Sequence, residues 1–473
     1  MISKNFKKKL LPFTVITSLV IGGTGTSTPE VEAKTDKKNN AEIKNIIFMV
    51  GDGMGPSYTT MYRYIKDDQS TKMMERTVFD PYLVGTQSTY SWDPYFDGGE
   101  DDVKENIPDS AATATAMAAG IKTYNGAISV DLEQEEVKTI LEVAKDQGQA
   151  TGLVATSQIN HATPAAFGSH DESRQNYNDI ADDYYDEMIK GEHKVDVLLG
   201  GGTDYFIRSD RNLAKEFKQD GYSYVTTKED MLNADNDQIL GLFAPKGLDK
   251  AIDRDEETPS LSEMTNTALE KLSKDKDGFF LMVEGSQIDW AGHDNDVVAA
   301  MSEMKDFEEA FKQAIEFAKK DKQTLVVTTA DHSTGGISIG RGSDYVFNPD
   351  VIKAAERTPD YMATEIAEGA DVEEVLNTYS GLDLKQGEVD AVKEAAQTDA
   401  DGNIDITEVD NAIEHIYNVR SGTGWTTSAH TGVDVNVYTY GPQSDEFSGL
   451  NENSETGQKL FQVLKAVKPH NKH

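Results

Sequence analysis

NIIFMVGDGMG, residues 45–55, is the stretch from which the fold is read. Residues 45–50 are an almost unbroken apolar run without alternation, and an aspartate among glycines follows at once in Gly51-Asp52-Gly53-Met54-Gly55. A strand that is apolar on both faces must be covered on both faces, as in a parallel sheet flanked by helices. Four further runs repeat the pattern, at residues 152–156, 195–199, 279–283 and 324–329. The amphipathic or alanine-rich stretches between them, such as 137–147 and 261–272, are long enough for crossover helices. The expected fold is therefore α/β: a doubly wound, mainly parallel central sheet with helices on both faces. Such sheets place ligands beyond the carboxyl ends of their strands.

Polar residues gather at those ends. Asp52 follows the first run, Glu284 ends the run at 279–283, and Asp331-His332 end the run at 324–329. An adjacent pair inside a strand would point to opposite faces, but where the chain turns both can converge. Asp289 and His293 stand four apart in Ile288-Asp289-Trp290-Ala291-Gly292-His293, so one helical turn would put them on a common face. Alone, such a pair is more often a surface contact; five residues after Glu284 it gains weight. His430, in Ser428-Ala429-His430-Thr431-Gly432, reads equally as a buried structural histidine. Imidazole mixed with carboxylate suits zinc, and carboxylate with hydroxyl suits magnesium.

Pro108-Asp109-Ser110-Ala111-Ala112 opens an alanine-rich helix. Asp109 or Ser110 would serve there as an ordinary N-cap. A helix start also welcomes a phosphoryl group, and a serine with no histidine near it in sequence would need a metal ion to activate it. Arg174 could grip phosphate oxygens in a bidentate fork, or form a surface ion pair.

The flanks and the bulk composition narrow the setting. Lys4, Lys7, Lys8 and Lys9 precede a short apolar stretch at 10–21 and a small-x-small site at Val31-Glu32-Ala33, which reads as an export signal over residues 1–33. The mature chain then starts near Lys34, outside the cell or at the cell wall. That stretch is too short for an anchor, and no later run approaches bilayer length, so stable membrane insertion is not expected. The absence of cysteine excludes disulfides, thiolate ligands and lipid attachment at a cysteine. A formal net charge of -38 repels nucleic-acid phosphates and anionic lipid, so neither is an expected partner. Residues 340–425 are acidic and helical in texture and read as an insertion. Within them Asp399, Asp401, Gly402, Ile404, Asp405 and Glu408 approximate a calcium loop spanning 397–408, but Gln397 stands where its first aspartate belongs. An ordinary Asp-Gly turn is the competing reading. Residues 468–473 read as a disordered tail.

Taken in order, VGDGMG, PDSAATATA, Ala162-Thr163-Pro164-Ala165-Ala166 with its later arginine, VEGSQIDWAGH, TTADHSTGG and SAHTG resemble the alkaline phosphatase family across nearly the whole of 34–473. The resemblance implies a homodimeric phosphomonoesterase acting on small phosphate monoesters. It implies a first zinc on Asp289, His293 and His430, and a second on Asp52, Asp331 and His332. A third ion, usually magnesium, would use Thr163 and Glu284 with Asp52 bridging. Ser110 would become a phosphoserine, Arg174 would orient the phosphoryl group, and Asp109 would position Arg174. At His161 the best-known bacterial member has aspartate, which puts the magnesium preference of the third site in question. At Trp290 it has lysine, so phosphate would be held less tightly here and product would leave faster.

Three rival readings compete with this one. A sulfatase needs proline and arginine close after its nucleophile, whereas Ser110 is followed by Ala-Ala-Thr. A phosphodiesterase of the same superfamily more often presents threonine. A non-catalytic phosphate- or cation-binding protein would leave Ser110 and Arg174 without a purpose.

Overall fold

The computed structural model describes residues 43–92 and 104–466. The expected export signal and the tail at 468–473 lie outside the described residues. One ten-stranded sheet organises the chain. Its strands are β1 (Asn45–Gly51), β2 (Leu83–Ser88), β3 (Ala150–Gln158), β4 (Val197–Gly201), β5 (Ser223–Val225), β6 (Ile239–Leu242), β7 (Phe279–Gly285), β8 (Thr324–Thr329), β9 (Val435–Tyr440) and β10 (Gly449–Glu452). Their spatial order is β10-β2-β9-β8-β1-β7-β3-β4-β6-β5. β1 lies between β7 and β8 and is parallel to both, while β9 is antiparallel to both of its neighbours.

The apolar runs behave as two-faced strands. Ile47 and Met49 of β1 enter one core, while Ile46, Phe48 and Val50 enter the other. β7 divides in the same way, with Leu281 and Val283 on one side and Phe280 and Met282 on the other. Helices Leu261–Leu272 and Val297–Asp321 cover the first face through Met264, Ala268, Met304, Phe307 and Phe311. Helices Ile140–Asp146, Ala162–Gly168 and Asn453–Ala466 cover the second through Leu141, Phe167, Leu460 and Val463. Truncating Phe307 or Phe311 to alanine should cost about 3–5 kcal/mol, because both are fully buried.

Several boundaries differ from the sequence reading. The helix expected over 137–147 begins only at Ile140, since Thr139 caps it in a reciprocal box with Glu142 and the Val137 N–H is bonded to Ser129 O. The strand expected at 195–199 runs Val197–Gly201, because the Asp196 carboxylate instead takes the Thr151 N–H and Lys145. β2, β5, β6 and β10 went unanticipated. β5, β6 and β10 have three or four residues, and β10 and β5 are the sheet edges, where polar and brief strands are the rule; β2, Leu83–Ser88, has six but no unbroken apolar run.

The helices include α1 (Ser110–Ala119), α2 (Gln287–Asp294), α3 (Val297–Asp321), α4 (Pro359–Ala367) and α5 (Ile406–Ser421). The last two belong to the stretch at 340–425, which also holds Pro349–Lys353, Val372–Tyr379 and Gln386–Ala395. An antiparallel ladder between Ser338–Ile339 and Thr423–Gly424 closes its base. Met362, Ile366, Ile413 and Tyr417 pack into the same core as α3. In the loop at 397–408, Asp399 Oδ1 accepts the N–H groups of Asp401 and Asn403, both at 2.9 Å. Asp405 caps α5. The Asp-Gly turn describes this geometry, with Gly402 at φ +87°. No helix among the described residues is long and apolar enough to cross a membrane.

Candidate active site

Register brings the strand ends together. Val50 is paired with Thr329 on one side and with Glu284 on the other, and Glu284 also pairs with Ala155. Asp52, Glu284 and Asp331 therefore emerge at one level of the sheet. The turn after β1 is tight: Gly53 sits at φ +68°, and a Cβ there would come within 2.7 Å of Thr334 Oγ1 and 2.8 Å of Asp289 Cα. Its N–H donates to Asp331 Oδ1 at 3.0 Å, and the His332 N–H donates to the same oxygen at 2.9 Å. One oxygen of Asp331 is thus fixed, and the other, Oδ2, lies 3.1 Å from His332 Nε2.

The predicted ligands converge in three overlapping groups. Asp52, Asp331 and His332 present ligand atoms within 4.8 Å of one another, and so do Asp52, His161 and Glu284, and Asp289, His332 and His430. His293 adjoins the last group, with Nε2 3.3 Å from Asp289 Oδ2 and 3.0 Å from His430 Nε2. Outer contacts aim two of these rings. His293 Nδ1 is 2.7 Å from Ser428 O and His430 Nδ1 is 2.7 Å from Pro108 O. A proton on each Nδ1 leaves each Nε2 lone pair turned inward, the tautomer a metal ligand requires.

The electrostatics argue for cations. Both oxygens of Asp52, Asp331 Oδ2, Glu284 Oε1, Thr163 Oγ1 and His161 Nδ1 are buried without a hydrogen-bond partner. Buried polar atoms left unpaired are costly, and buried like charges more so. Burial first, and then repulsion from Asp331, Asp289 and Glu284, pushes the Asp52 carboxyl well above its ordinary range. Burial lifts Glu284 to about 7. The hydrogen bond to Asp289 raises His293 to about 9. Burial, helped by the Arg174 charge, lowers His161 to about 3. Divalent cations at these three groups would neutralise the carboxylates and satisfy the orphaned oxygens together, so the oxygen donors fit them.

Ser110 is the first residue of α1 and only 1% exposed. Its Oγ lies 3.2 Å from His332 Nε2, against the group that includes Asp52 and Asp331. Asp109 caps the helix with one oxygen, accepting from Ala112 N, and takes Arg174 Nη1 on the other at 3.0 Å. The N-cap reading of Asp109 therefore holds, and the same segment sets Ser110 Oγ beside His332. Thr163, in the first turn of Ala162–Gly168, and His161, its N-cap residue, close the third group. Arg174 Nη2 donates to His161 Nε2 at 3.2 Å. Trp290 meets the His161 ring edge-on, with centroids 5.7 Å apart, and Lys250 Nζ lies 5.9 Å from the Trp290 ring.

Some supporting residues escape a reading by motif. Thr334 Oγ1 donates to Asp289 Oδ1, and Ser286 Oγ donates to Glu284 Oε2 at 2.6 Å. Asn125 Oδ1 accepts from Asp109 N at 3.0 Å, steadying the segment before Ser110. The later threonine of TTADHSTGG and the serine of VEGSQ lie inside the quoted motifs, but a hydroxyl carries no spacing signal of its own.

The sequence profile described as alkaline phosphatase matches residues 43–466. Alkaline phosphatase 3 of Bacillus subtilis (strain 168) is 59% identical over 98% of this chain and 98% of its own. Among solved structures, a cold-active alkaline phosphatase from a psychrophilic Shewanella is 40% identical, with a TM-score of 0.80 over 89% of this chain and 99% of that one. The alkaline phosphatase of the Antarctic bacterium TAB5 is 30% identical, with a TM-score of 0.62 over 90% of this chain and 98% of that one. Variants of it with a histidine exchanged for glutamate or aspartate hold magnesium in the site named M3.

Proposed function

The chain belongs to the alkaline phosphatase family, and from that premise we propose that it is an exported phosphomonoesterase whose nucleophile is Ser110. The observation that carries this reading is the position of Ser110 Oγ, 3.2 Å from His332 Nε2, at a helix start facing orphaned carboxylates from three strand ends. Asp289, His293 and His430 would hold one zinc, and Asp52, Asp331 and His332 a second. Asp52, Thr163 and Glu284, with His161 beside them, would hold magnesium, as the TAB5 variants with a histidine exchanged for glutamate or aspartate do in the site named M3. When bound, the cations supply Lewis acidity, lowering the pKa of the serine hydroxyl and of water and taking up charge on the departing oxygen.

The residues of the chain do the rest. Arg174, braced by Asp109, offers its free N–H groups to two phosphoryl oxygens, and the first-turn N–H groups of α1 face the same phosphoryl group. Ser110 Oγ attacks phosphorus, so the Oγ–P bond forms while the ester P–O bond breaks and the alcohol leaves. Water then attacks phosphorus, the Oγ–P bond breaks, and inorganic phosphate departs. The residues named here grip only the phosphoryl group, which suits a broad range of monoesters. Residues 1–33 would be removed on export, leaving one catalytic domain, 34–473, that pairs as a homodimer.

A chromogenic phosphomonoester tests this reading, with wild type and Ser110→Ala compared before and after chelation and metal content measured alongside. The expected result is a loss of about 10³-fold or more in kcat for the variant, and loss of wild-type activity on chelation. Full activity in Ser110→Ala would refute the nucleophile assignment.

A further inference from the structure

A second group of carboxylates lies where the inserted helices meet the catalytic body. The turn between α2 and α3 presents Asp294, the last residue of α2, and Asp296, the N-cap of α3. Asp360 comes from the first turn of α4, and Asp410 and Glu414 stand one turn apart on α5. Ligand oxygens of Asp294, Asp360 and Asp410 lie within 4.8 Å of one another. Asp296, Asp410 and Glu414 are 2%, 5% and 4% exposed. Each has a buried oxygen with no hydrogen-bond partner: Asp296 Oδ2, Asp410 Oδ1 and Glu414 Oε1. The other oxygen of Asp296 is already used, accepting from Val298 N and Ala299 N. Lys250 supplies one positive charge nearby, against five carboxyl groups.

Asp294 is exposed and Asp360 half-buried, but the carboxyl groups of Asp296, Asp410 and Glu414, kept from water with an oxygen that has no donor, need either protons or a cation. Protonation would have to place a proton on each group separately, whereas one divalent ion would satisfy the orphaned oxygens together. We propose that Asp294, Asp296, Asp360, Asp410 and Glu414 form a further cation site, distinct from the three above, for a hard divalent ion of the calcium class. An all-oxygen donor set without imidazole disfavours zinc. Ligands drawn from four helices at flexible spacing suit the six to eight contacts of calcium better than the strict octahedron of magnesium. Such an ion would clamp α4 and α5 to the turn that directly follows His293. The same junction is bridged by Asn418 on α5, whose Nδ2 donates to Asn295 O at 3.0 Å.

Equilibrium dialysis of the zinc- and magnesium-loaded protein against radioactive calcium tests the site. Wild type should take up one calcium per chain at the cluster. Asp410→Asn should weaken that uptake at least tenfold, and Asp410→Asn with Glu414→Gln should abolish it. Asp399→Asn, in the exposed loop at 397–408, should leave it unchanged. Calcium should raise the Tm of wild type and of Asp399→Asn by several degrees, but not that of the double variant. Should Asp410→Asn fail to fold, Asp360→Asn at the half-exposed rim makes the same comparison. Equal calcium uptake by wild type and the double variant, or no uptake by wild type at millimolar calcium, would overturn the proposal.

Discussion

His161 is asked to do two things with one ring. Arg174 Nη2 donates to its Nε2, and the ring is held neutral by burial and by the Arg174 charge. The single ring proton then sits on Nδ1, a buried atom without an acceptor. A carboxylate in its place would accept from Arg174 and face a cation bound by Asp52 and Glu284 without that conflict. His161→Asp is therefore expected to raise magnesium content and to steepen activation by magnesium, as read from metal analysis and a magnesium titration of the initial rate. Identical metal content and activation in the two proteins would sink this expectation. The proposed ligands were legible in the sequence, because aspartate, glutamate and histidine at the ends of apolar runs are chemically conspicuous. Thr334 and Ser286 were not: the contact of Thr334 with Asp289 appears only once α2 and the segment after β8 are side by side, and the local contact of Ser286 with Glu284 depends on the turn after β7. The carboxylates of the proposed calcium site were illegible for the same reason: Asp294 and Glu414 are brought together only by the packing of the inserted helices.

At the scale of elements, one buried ion cluster ties three of them on the second face of the sheet. Glu142 of helix Ile140–Asp146, His170 beyond Ala162–Gly168, and Glu187 at the end of Tyr177–Asp186 surround Lys194. Burial opposes a charge on His170, but hydrogen bonds to Glu142 and Glu187 outweigh it and raise the group to about 9. A folded pKa raised above the ordinary 6.5 gives stability that is complete below 6.5 and lost as the pH climbs through about 9. Glu187, lowered to about 2, acts in the opposite sense: its share is present above 4.5 and fades only as the pH falls through about 2. His170→Gln should thus destabilise the metal-loaded protein by about 2–3 kcal/mol at pH 6.5, and hardly at all at pH 10. Denaturant midpoints at the two pH values measure it; a penalty that persists undiminished at pH 10 would assign the role of His170 to packing. The central strands were readable because burial on both faces forces an unbroken apolar run. The edge strands and this cluster were not, because short polar strands and paired charges look like loops until their partners are known.

For the whole molecule, the dominant long-range term is charge. The 83 acidic residues outnumber the 45 basic ones, so even complete pairing would leave 38 negative charges without a partner. Salt acts on this balance in two directions. It weakens exposed ion pairs such as Lys138–Asp146 and Lys274–Asp237, each worth about 0–1 kcal/mol, and it also screens the repulsion among the surplus carboxylates. The screening length falls from about 30 Å at 0.01 M salt to about 10 Å at 0.1 M. The first value reaches across much of the surface and the second only to near neighbours. With so large a surplus of one sign, relief of repulsion should exceed the loss of exposed pairs, so folded stability should rise with sodium chloride. The buried groups at the strand ends are screened far less and set the baseline. Calorimetry of the metal-loaded protein from 0.01 to 0.5 M sodium chloride should show Tm climbing steeply at first and then levelling. A flat or falling Tm would mean that surface pairing, and not the charge surplus, governs the stability of the native state.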